Sequence, residues 1–405
     1  MTANQITKEI TATQAQFKEI EGQVKNLAEF AEKLLESESQ ETTDTLALLL
    51  IAGVVLRSSD LHIEAREEGA QVRIRIDGIL HEVTSISSNL YAALLSRIKL
   101  VSGLKLNIED RPQDGRFSLG DKQQLIEFRT SSLPSEHGES LVLRILNPKN
   151  LIGIPELGLR EDLFTLFQEE ITKPNGMIII TGPTGSGKTT SLYAFLKELQ
   201  NPKIKIITIE DPIEYHLEGV SQTQTNPQKG YDFASGLRAI VRQDPDVILV
   251  GEIRDGETAQ IAIQAALTGH LVFSTLHTND AAGTIARLTS MGSAASNIAP
   301  AINLVVAQRL VRKICPSCVE KKQVTQEEYA KLQEGIKELP ASLRPALAPD
   351  MVLAKGKGCP ACSNTGYKGR VGIFAALHLK GEMEEFILTN PSIAAVRRKA
   401  IETEM

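Results

Sequence analysis

Short runs of consecutive apolar residues recur through the second half of the chain, and longer stretches of mixed character separate them. The runs lie at Met177–Thr181, Ile204–Ile209, Val247–Val250 and Leu271–Ser274. Continuous apolar strands that alternate with helical stretches are typical of a parallel sheet covered by helices on both faces. We therefore predict an α/β domain that occupies residues 159–405.

A different pattern occupies residues 46–147. Apolar and charged residues alternate in Val72–Gly78, which predicts a strand with apolar side chains on one face and arginines on the other. The same region predicts a helix at its start, before the strands, a second helix at 91–104, and further strands at 116–119, 124–131 and 140–146. These elements indicate a separate α+β domain, and the Gly- and Pro-containing residues 148–158 predict a linker to the next domain.

Residues 1–45 are predicted to form an amphipathic helix followed by a linker. Apolar residues recur at intervals of three and four between Ile10 and Leu34, with one position of the series missed at Thr13. Such a stripe predicts a helix that packs on its own protein, or else a coiled coil or a helix that binds a partner. The polar residues 37–45 predict the linker.

Composition and charge narrow the functional classes. The chain of 405 residues carries a formal net charge of −6, which argues against a protein whose main role is to coat nucleic acid. Its longest apolar run, Leu46–Leu56, is shorter than the roughly 20 residues that a membrane-spanning helix needs. The N-terminal residues lack the pattern of a signal peptide. Together these features predict a cytoplasmic protein.

A glycine-rich loop follows the apolar run that ends at Thr181, and a predicted helix follows the loop. The loop matches G-x-x-x-x-G-K-[ST] in the strand–loop–helix context of a P-loop. In such loops backbone N–H groups surround the phosphates, so we expect Lys188 to reach the β- and γ-phosphates and Thr189 to ligate Mg²⁺. The predicted nucleotide-binding residues are Gly182, Pro183, Thr184, Gly185, Ser186, Gly187, Lys188, Thr189 and Thr190.

Acidic residues follow two of the other apolar runs. Glu252 comes after Val247–Val250 and a glycine, and Glu210, Asp211 and Glu214 follow the run that ends at Ile209. Carboxylates at strand ends beside a P-loop serve to position the metal and to activate water. We therefore predict that all four act in catalysis, either as a base, by orienting water or by holding Mg²⁺.

Two histidines flank another strand of the predicted sheet. His270 precedes the apolar run Leu271–Ser274, and His277 follows it. Since both border a strand of the predicted parallel sheet, we expect them to contact the γ-phosphate or the acidic groups beside it.

All four cysteines occur in two C-x-x-C pairs. Cys315 and Cys318 form one pair, Cys359 and Cys362 form the other, and 40 residues lie between the pairs. Two such pairs supply the four thiolates of a closed tetrahedral Zn²⁺ site. The alternative, a redox-active C-x-x-C, is the usual competitor for a single pair. We predict a structural zinc lobe over residues 315–362, with a charged helical run at 326–338 inside it.

Several motifs, in the order in which they occur, resemble those of a known family. GPTGSGKTTSLY, ITIEDPIEY, DPDVILVGEIRD and GHLVFSTLHTND resemble the Walker A motif, Asp box, Walker B motif and His box of secretion ATPases. More narrowly, residues 46–379 resemble the type II secretion and type IV pilus assembly ATPases. RPQDGRF (111–117) and EFRTSS (127–132) resemble parts of the domain that precedes the motor in that group.

This resemblance implies a RecA-like motor domain that a flexible linker joins to a PAS-like domain, assembled as a homo-hexameric ring. It implies that Arg116 and Arg129 reach the nucleotide when the two domains close. The implied cofactors are ATP, Mg²⁺ and Zn²⁺. The implied partner is an inner-membrane platform protein, through which a cytoplasmic ATPase associates peripherally with the membrane. In longer members a large N-terminal domain precedes this region, so its regulatory role is not expected here.

The expected function is ATP hydrolysis that powers assembly of a type IV pilus or a type II secretion pseudopilus. One alternative is a DNA-uptake or conjugation motor, although the acidic charge and the lack of a basic–aromatic strip argue against direct nucleic-acid binding. A second alternative is a nucleotide-gated scaffold. The presence of Lys188, Thr189 and Glu252 argues against that one.

Overall fold

The computed structural model describes residues 9–121, 124–337, 339, 341 and 344–403. The chain divides into two compact units. The first unit comprises Met1–Asn150, Arg312–Lys322 and Ala354–Gly369, and the second comprises Leu151–Val311, Gln323–Leu353 and Arg370–Met405.

Most of the first unit is a twisted sheet with helices packed on it. Its elements are β1 (Glu9–Thr11), α1 (Gln14–Gln23), α2 (Leu27–Glu36), α3 (Thr42–Val55), β2 (Asp60–Arg66), β3 (Gly69–Ile76), β4 (Ile79–Ile86), α4 (Ser88–Ser102), β5 (Gln113–Asp121), β6 (Gln124–Ser135) and β7 (Gly138–Leu146). The strand order is β1-β5-β6-β7-β2-β3-β4. Neighbouring strands are antiparallel, except that β1 pairs parallel with β5.

One face of this sheet forms the core of the first unit. Alternate residues are buried on strands such as β2, β6 and β7, and the rings of Phe117 and Phe128 on paired positions of β5 and β6 stack with centroids 5.2 Å apart. Helix α3 is apolar and packs into the same core through residues that include Leu49 and Leu50. The alternating sequence pattern correctly predicted strands of a half-buried sheet, because every second side chain of a strand lies on the core face.

The N-terminal region differs from the single helix predicted for it. Two helices form instead: α1 begins with a capping box between Thr13 and Gln16, and α2 begins with Asn26 as its N-cap. Thr13, the position that broke the apolar series, therefore starts a helix, since its hydroxyl accepts the Gln16 N–H. The first eight residues of the predicted helix lie outside the described part of the chain.

The second unit is built on a sheet that helices cover on both faces. Elements from its start through the last strand of the parallel set are α5 (Glu161–Ile171), β8 (Gly176–Thr181), α6 (Lys188–Leu199), β9 (Ile206–Glu210), β10 (Ser221–Gln224), α7 (Phe233–Val241), β11 (Val247–Val250), α8 (Gly256–Leu267), β12 (Leu271–Leu276), α9 (Ala281–Ser290), α10 (Ala295–Ala301) and β13 (Ile302–Ile314). The elements that follow in the chain, of which residues 312–322 and 354–369 belong to the first unit, are β14 (Val319–Gln323), α11 (Gln326–Gly335), β15 (Val352–Gly356), β16 (Tyr367–His378), α12 (Glu382–Leu388) and α13 (Ile393–Glu402).

The strand order β10-β9-β11-β12-β8-β13-β16 places β8 near the centre of the second sheet. All pairings from β10 to β13 are parallel. Every residue of β8 is buried, and Met177 and Ile178 belong to apolar clusters on opposite faces of the sheet. The predicted α/β fold with a covered parallel sheet is confirmed.

Two smaller features complete the fold. Strands β14 and β15 form a separate two-stranded sheet, and α11 lies between them in sequence. The helical run predicted at 326–338 ends at Gly335, and residue 338 lies outside the described part of the chain. Among the described residues, no helix combines the length and apolarity that crossing a bilayer requires.

Candidate nucleotide-binding site

The glycine-rich loop lies between the end of β8 and the start of α6. Gly182 and Gly187 have φ angles of +147° and +88°. A Cβ atom at Gly182 would lie 2.5 Å from the Gln308 carbonyl oxygen, and one at Gly187 would lie 2.8 Å from the Gln308 side-chain nitrogen. Both positions therefore require glycine. The chain reverses tightly here, and the amino end of α6 adds positive potential to the loop.

Lys188 is the first residue of α6 and is nine-tenths buried. Its Nζ donates hydrogen bonds to the carbonyl oxygens of Gly182 at 2.9 Å and Pro183 at 3.2 Å. Burial lowers the pKa of Lys188; the charge of Glu252 acts in the opposite direction, and that of Arg309 adds to the lowering. The ammonium group is thus held against the loop that would surround a phosphate.

The other predicted loop residues divide into an exposed tip and a buried base. Pro183, Thr184 and Gly185 are exposed, as is Thr189 on the first turn of α6, whereas Gly187 and Thr190 are half-buried. Ser186 is buried, and its hydroxyl has no hydrogen-bond partner among the described residues. A buried hydroxyl without a partner is costly, so this side chain is suited to an incoming ligand.

Glu252 lies at the same edge of the sheet as the glycine-rich loop. Strands β11, β12 and β8 are adjacent and parallel, so their carboxyl ends meet at that edge. The Glu252 Oε2 atom lies 3.3 Å from His277 Nε2, and Arg254 donates a hydrogen bond to the other carboxylate oxygen. Arg254 also pairs with Asp211, at 3.4 Å. The structure therefore brings together Lys188, Glu252, His277 and Asp211.

Glu210 ends β9 but is buried among other side chains. Its carboxylate accepts hydrogen bonds from the hydroxyls of Tyr193 and Thr208 and, at 3.2 Å, from Gln222. Burial raises the pKa of Glu210; the three hydrogen bonds oppose this, and the charge of Glu214 adds to it. Glu210 is therefore placed to connect elements of the fold, and this differs from the predicted role in handling water or metal.

His270 lies away from the glycine-rich loop, contrary to the predicted contact with the phosphate. It precedes β12, whose first residue Leu271 pairs with Gly176 at the start of β8. Its Nδ1 atom lies 3.0 Å from the Ala265 carbonyl oxygen. Since a strand rises about 3.3 Å per residue, the five steps from Leu271 to Leu276 alone span roughly 17 Å, so His270 and His277 lie at opposite ends of β12. Only His277 is at the correct end of the strand.

In the first unit, Arg116 and Arg129 lie directly opposite each other on β5 and β6, and Arg144 on β7 lies opposite Arg129. The side chains of Arg116 and Arg144 are 64% and 56% exposed. The Arg144 Nε donates to Asp60 Oδ1 at 3.0 Å. Sequence reasoning missed Arg144, because only the register of the strands places it in the same row.

The middle of β13 also contributes residues that the sequence did not indicate. Ala307 pairs with Thr181, so Gln308 and Arg309 follow beside the start of the glycine-rich loop. The buried Gln308 accepts a hydrogen bond from Ser191 Oγ at 2.9 Å, which fixes its side chain beneath the loop. The signal that could have found it is a polar pair, Gln-Arg, which interrupts the apolar run from Leu304 to Val311.

The four cysteines form one cluster, and their sulfur atoms all lie within 4.8 Å of one another. Individual separations are 4.0 Å for Cys315–Cys359, 3.9 Å for Cys318–Cys362 and 3.8 Å for Cys359–Cys362. Tetrahedral Zn²⁺ with bonds of about 2.3 Å requires sulfur atoms about 3.8 Å apart, so the cluster fits zinc. The cysteines belong to the first unit, whereas the sequence placed them in the motor domain.

Backbone donors support the thiolates of this cluster. The Cys362 sulfur accepts hydrogen bonds from the N–H groups of Cys359 and Gly366, both at 3.3 Å. Burial raises the pKa of the Cys362 thiol, but these N–H donors and the neighbouring thiols of Cys359 and Cys318 together outweigh it and lower the pKa to about 6. Such a thiol is a ready metal ligand, since metals bind the thiolate form.

Comparison with known proteins agrees with this geometry. The family model described as "Type II/IV secretion system protein" matches residues 37–405. The chain is 46% identical over 342 residues to the type IV pilus assembly ATPase PilB of Acinetobacter baylyi, covering 84% of this chain and 58% of that protein. It is 44% identical over 359 residues to the type II secretion system ATPase E of Vibrio cholerae, covering 88% and 69%. The chain thus spans little more than half the length of the first of these relatives.

Solved structures show the same fold. The pilus retraction motor PilT with bound ADP is 27% identical, with a TM-score of 0.58, and the match covers 87% of this chain and 88% of that one. The Legionella pneumophila ATPase DotB is 23% identical, with a TM-score of 0.63 and coverage of 90% and 89%. The RecA-like motor fold that the motifs implied is confirmed, while the PAS-like character of the first unit remains a prediction.

Proposed function

Because this chain belongs to the type II/IV secretion system protein family, we propose that it is a motor ATPase that hydrolyses Mg²⁺-bound ATP. The work of hydrolysis would drive assembly of a type IV pilus or a type II secretion pseudopilus. Type IV pilus assembly is named for its relative PilB, and the type II secretion system for its relative ATPase E.

The observation that carries this proposal is the grouping of Lys188, Glu252 and His277 at one edge of the motor sheet. The glycine-rich loop and Lys188 would bind the phosphates, and the exposed hydroxyl of Thr189 would ligate Mg²⁺. Glu252 is 17% exposed, so water can reach it, and His277 and Arg254 restrict its orientation. A carboxylate held in this way would orient or deprotonate the attacking water.

The first unit would supply charge that the glycine-rich loop lacks. Arg116 and Arg129 present neighbouring guanidinium groups on one sheet face. Guanidinium stays protonated and stabilises the charge that develops on transferred phosphate. We propose that closure of the first unit on the nucleotide brings these arginines to the phosphates. Hydrolysis and domain movement would then be coupled.

The remaining parts of the proposal follow the family. Cys315, Cys318, Cys359 and Cys362 would hold one structural Zn²⁺, which would have no part in the chemical step. A homo-hexamer, peripherally bound to an inner-membrane platform protein from the cytoplasmic side, would deliver the movement to pilin-like subunits. The net charge of −6 gives no support to a DNA-binding motor.

Phosphate release from ATP by the purified protein, with and without Mg²⁺, tests the proposal. Lys188→Ala should weaken nucleotide binding, whereas Glu252→Gln should bind ATP and lose turnover. Glu198→Gln, an exposed acid on α6, is the matched control and should behave like the wild type. If Glu252→Gln hydrolyses ATP at the wild-type rate, the role given to Glu252 is wrong. If the wild-type hexamer shows no Mg²⁺-dependent hydrolysis, the proposed activity is wrong.

A further inference from the structure

Arg309 lies beside the glycine-rich loop, although it is more than a hundred residues away in sequence. Strand β13 is the neighbour of β8, and their pairing ends at Ala307 and Thr181. The chain of β13 continues past that point, so Gln308 and Arg309 lie next to the first loop residues. A Cβ atom at Gly182 would be 3.1 Å from the Arg309 Nη1 atom.

The Arg309 guanidinium connects two loops of the second unit. Its Nη1 donates to the Gln308 carbonyl at 3.0 Å, and its Nη2 donates to the Asn279 carbonyl at 2.6 Å. Asn279 lies in the loop that follows β12 and contains His277. The remaining N–H groups of Arg309 have no hydrogen-bond partner among the described residues, so they can bind a ligand.

The charges around the glycine-rich loop favour an anion. The positive charge of Arg309 is close enough to Lys188 to lower the pKa of that residue further, beyond the larger effect of burial. The one carboxylate that opposes this effect is Glu252, which is already paired with Arg254 and His277. Lys188 and Arg309 therefore repel each other, because little negative charge nearby compensates theirs. A bound phosphate would relieve that repulsion.

The same loop holds a second group that is suited to bind an anion. Ser186 is 3% exposed, and its hydroxyl has no hydrogen-bond partner within the described residues. A Cβ atom at Gly182 would be 2.8 Å from this hydroxyl and 3.1 Å from Arg309 Nη1, so both groups lie next to the first glycine of the loop. A hydroxyl and a guanidinium so close to one loop can both donate hydrogen bonds to the oxygens of a phosphate bound there.

We propose that Arg309 is a phosphate-binding residue of the nucleotide site, contributed by the same subunit as Lys188, and that it favours ATP over ADP. The inference rests on the proposed ATPase function. Arg309 would exchange its hydrogen bond with the Asn279 carbonyl for one with the terminal phosphate. The loop that carries His277 would thereby respond to whether a triphosphate is bound.

Nucleotide affinity distinguishes this role from a structural one. The dissociation constants of ATP and ADP are to be measured for the full-length wild type, Arg309→Ala and Arg309→Lys, in Mg²⁺ buffer without turnover. Arg309→Ala should weaken ATP binding at least about tenfold and ADP binding less than about threefold. Arg309→Lys should fall between wild type and Arg309→Ala, because an ammonium keeps the charge without the planar fork. Arg160→Ala, an exposed arginine of the same unit, is the matched control and should change neither affinity.

The affinities for ATP and ADP decide between a phosphate-binding role and a structural role of Arg309. Equal weakening of ATP and ADP in Arg309→Ala would show that the arginine only supports the loop, and it would overturn the proposal, as would unchanged affinities. Should Arg309→Ala fail to fold, as judged by its thermal unfolding, the ATP-to-ADP ratio of Arg309→Lys decides in the same way. If the proposed ATPase function itself is wrong, the wild type will not bind or hydrolyse ATP, and this result differs from every outcome for Arg309.

Discussion

The Tyr193 hydroxyl donates a hydrogen bond to the Glu210 carboxylate, and it also accepts one, at 3.5 Å, from the Tyr215 N–H. Tyr193 is on α6, the helix that starts at Lys188, and Glu210 ends β9. This pair therefore ties the helix behind the glycine-rich loop to the segment that carries Asp211. Both residues are buried, so the connection is protected from water.

Tyr193→Phe should loosen this connection while leaving the shape of the core unchanged. Loss of the hydroxyl leaves a buried carboxylate with one donor fewer, which costs about 1–3 kcal/mol. We expect the free energy of unfolding to fall by that amount and kcat to fall several-fold, with ATP affinity retained. Chemical denaturation and steady-state kinetics measure both effects. Tyr329→Phe on α11 is the matched control, and a Tyr193→Phe variant as stable and as active as wild type would contradict the assigned role.

Arg116→Ala and Arg129→Ala should each slow hydrolysis at least about tenfold, since an added arginine accelerates related phosphoryl transfers by about 10³–10⁵. ATP affinity and folding should change little. The double variant should add little further loss, because both groups would act in the same closed state. Turnover by the assembled protein measures this effect, with Arg66→Ala as an exposed control in the same unit. Full turnover in both single variants would exclude closure-linked catalysis through these residues.

The purified protein should contain about one zinc per chain, and Cys315→Ser should lose it. The cluster lies in the first unit, where Ser363 next to it accepts a hydrogen bond from the Leu27 N–H at 3.2 Å, at the start of α2. Metal loss should therefore lower the stability of the first unit. Elemental analysis and thermal unfolding test this, with Ser317→Ala as the control. A well-folded, metal-free wild type would refute it.

Glu170 should make the second unit less stable in acid. It is buried, and its carboxylate lies 2.9 Å from His378 Nε2 and 2.7 Å from Lys173 Nζ. Burial raises the pKa of Glu170, but the hydrogen bonds from His378 and Lys173 outweigh it, so the pKa ends below its usual value. A carboxyl with a lowered folded-state pKa stabilises the fold above its unfolded pKa, and that stabilisation disappears as the pH falls through the folded value.

Glu170→Gln should thus lower the free energy of unfolding by about 1–3 kcal/mol at pH 7, and the difference from wild type should shrink below about pH 4. Denaturant unfolding at several pH values measures it. Glu169→Gln, its exposed neighbour, should show no such difference. A deficit that is equal at pH 7 and pH 3 would mean that the carboxylate charge has no part.

The sequence pattern predicted those elements whose conformation depends mainly on residues close to them in the chain. Continuous apolar runs predicted the parallel strands. The glycines between a predicted strand and a predicted helix indicated the glycine-rich loop. The histidines show the limit of such reasoning. His270 and His277 border the same strand, but the direction of that strand places only one of them at the functional edge.

Other residues could not be assigned because their environment depends on strand order. Arg309 becomes part of the site because β13 is adjacent to β8, and Arg144 joins the arginine row only through the register of β6 and β7. Glu210 is removed from solvent by Tyr193 and Gln222, which come from other elements. Neither burial nor adjacency of this kind is encoded within a short window of sequence.

The cysteine cluster and the paired strands β14 and β15 close the base of a segment that runs from residue 324 to residue 351. The Val324 N–H donates to the Met351 carbonyl at 3.1 Å, and the Lys357 N–H donates to that of Cys318 at 3.0 Å. A segment closed at its base can vary in length at small cost, since doubling a flexible loop costs only about 0.6 kcal/mol. This makes it a place where the chain can be lengthened or shortened, and where a fluorescent reporter can be inserted to follow the protein in living cells.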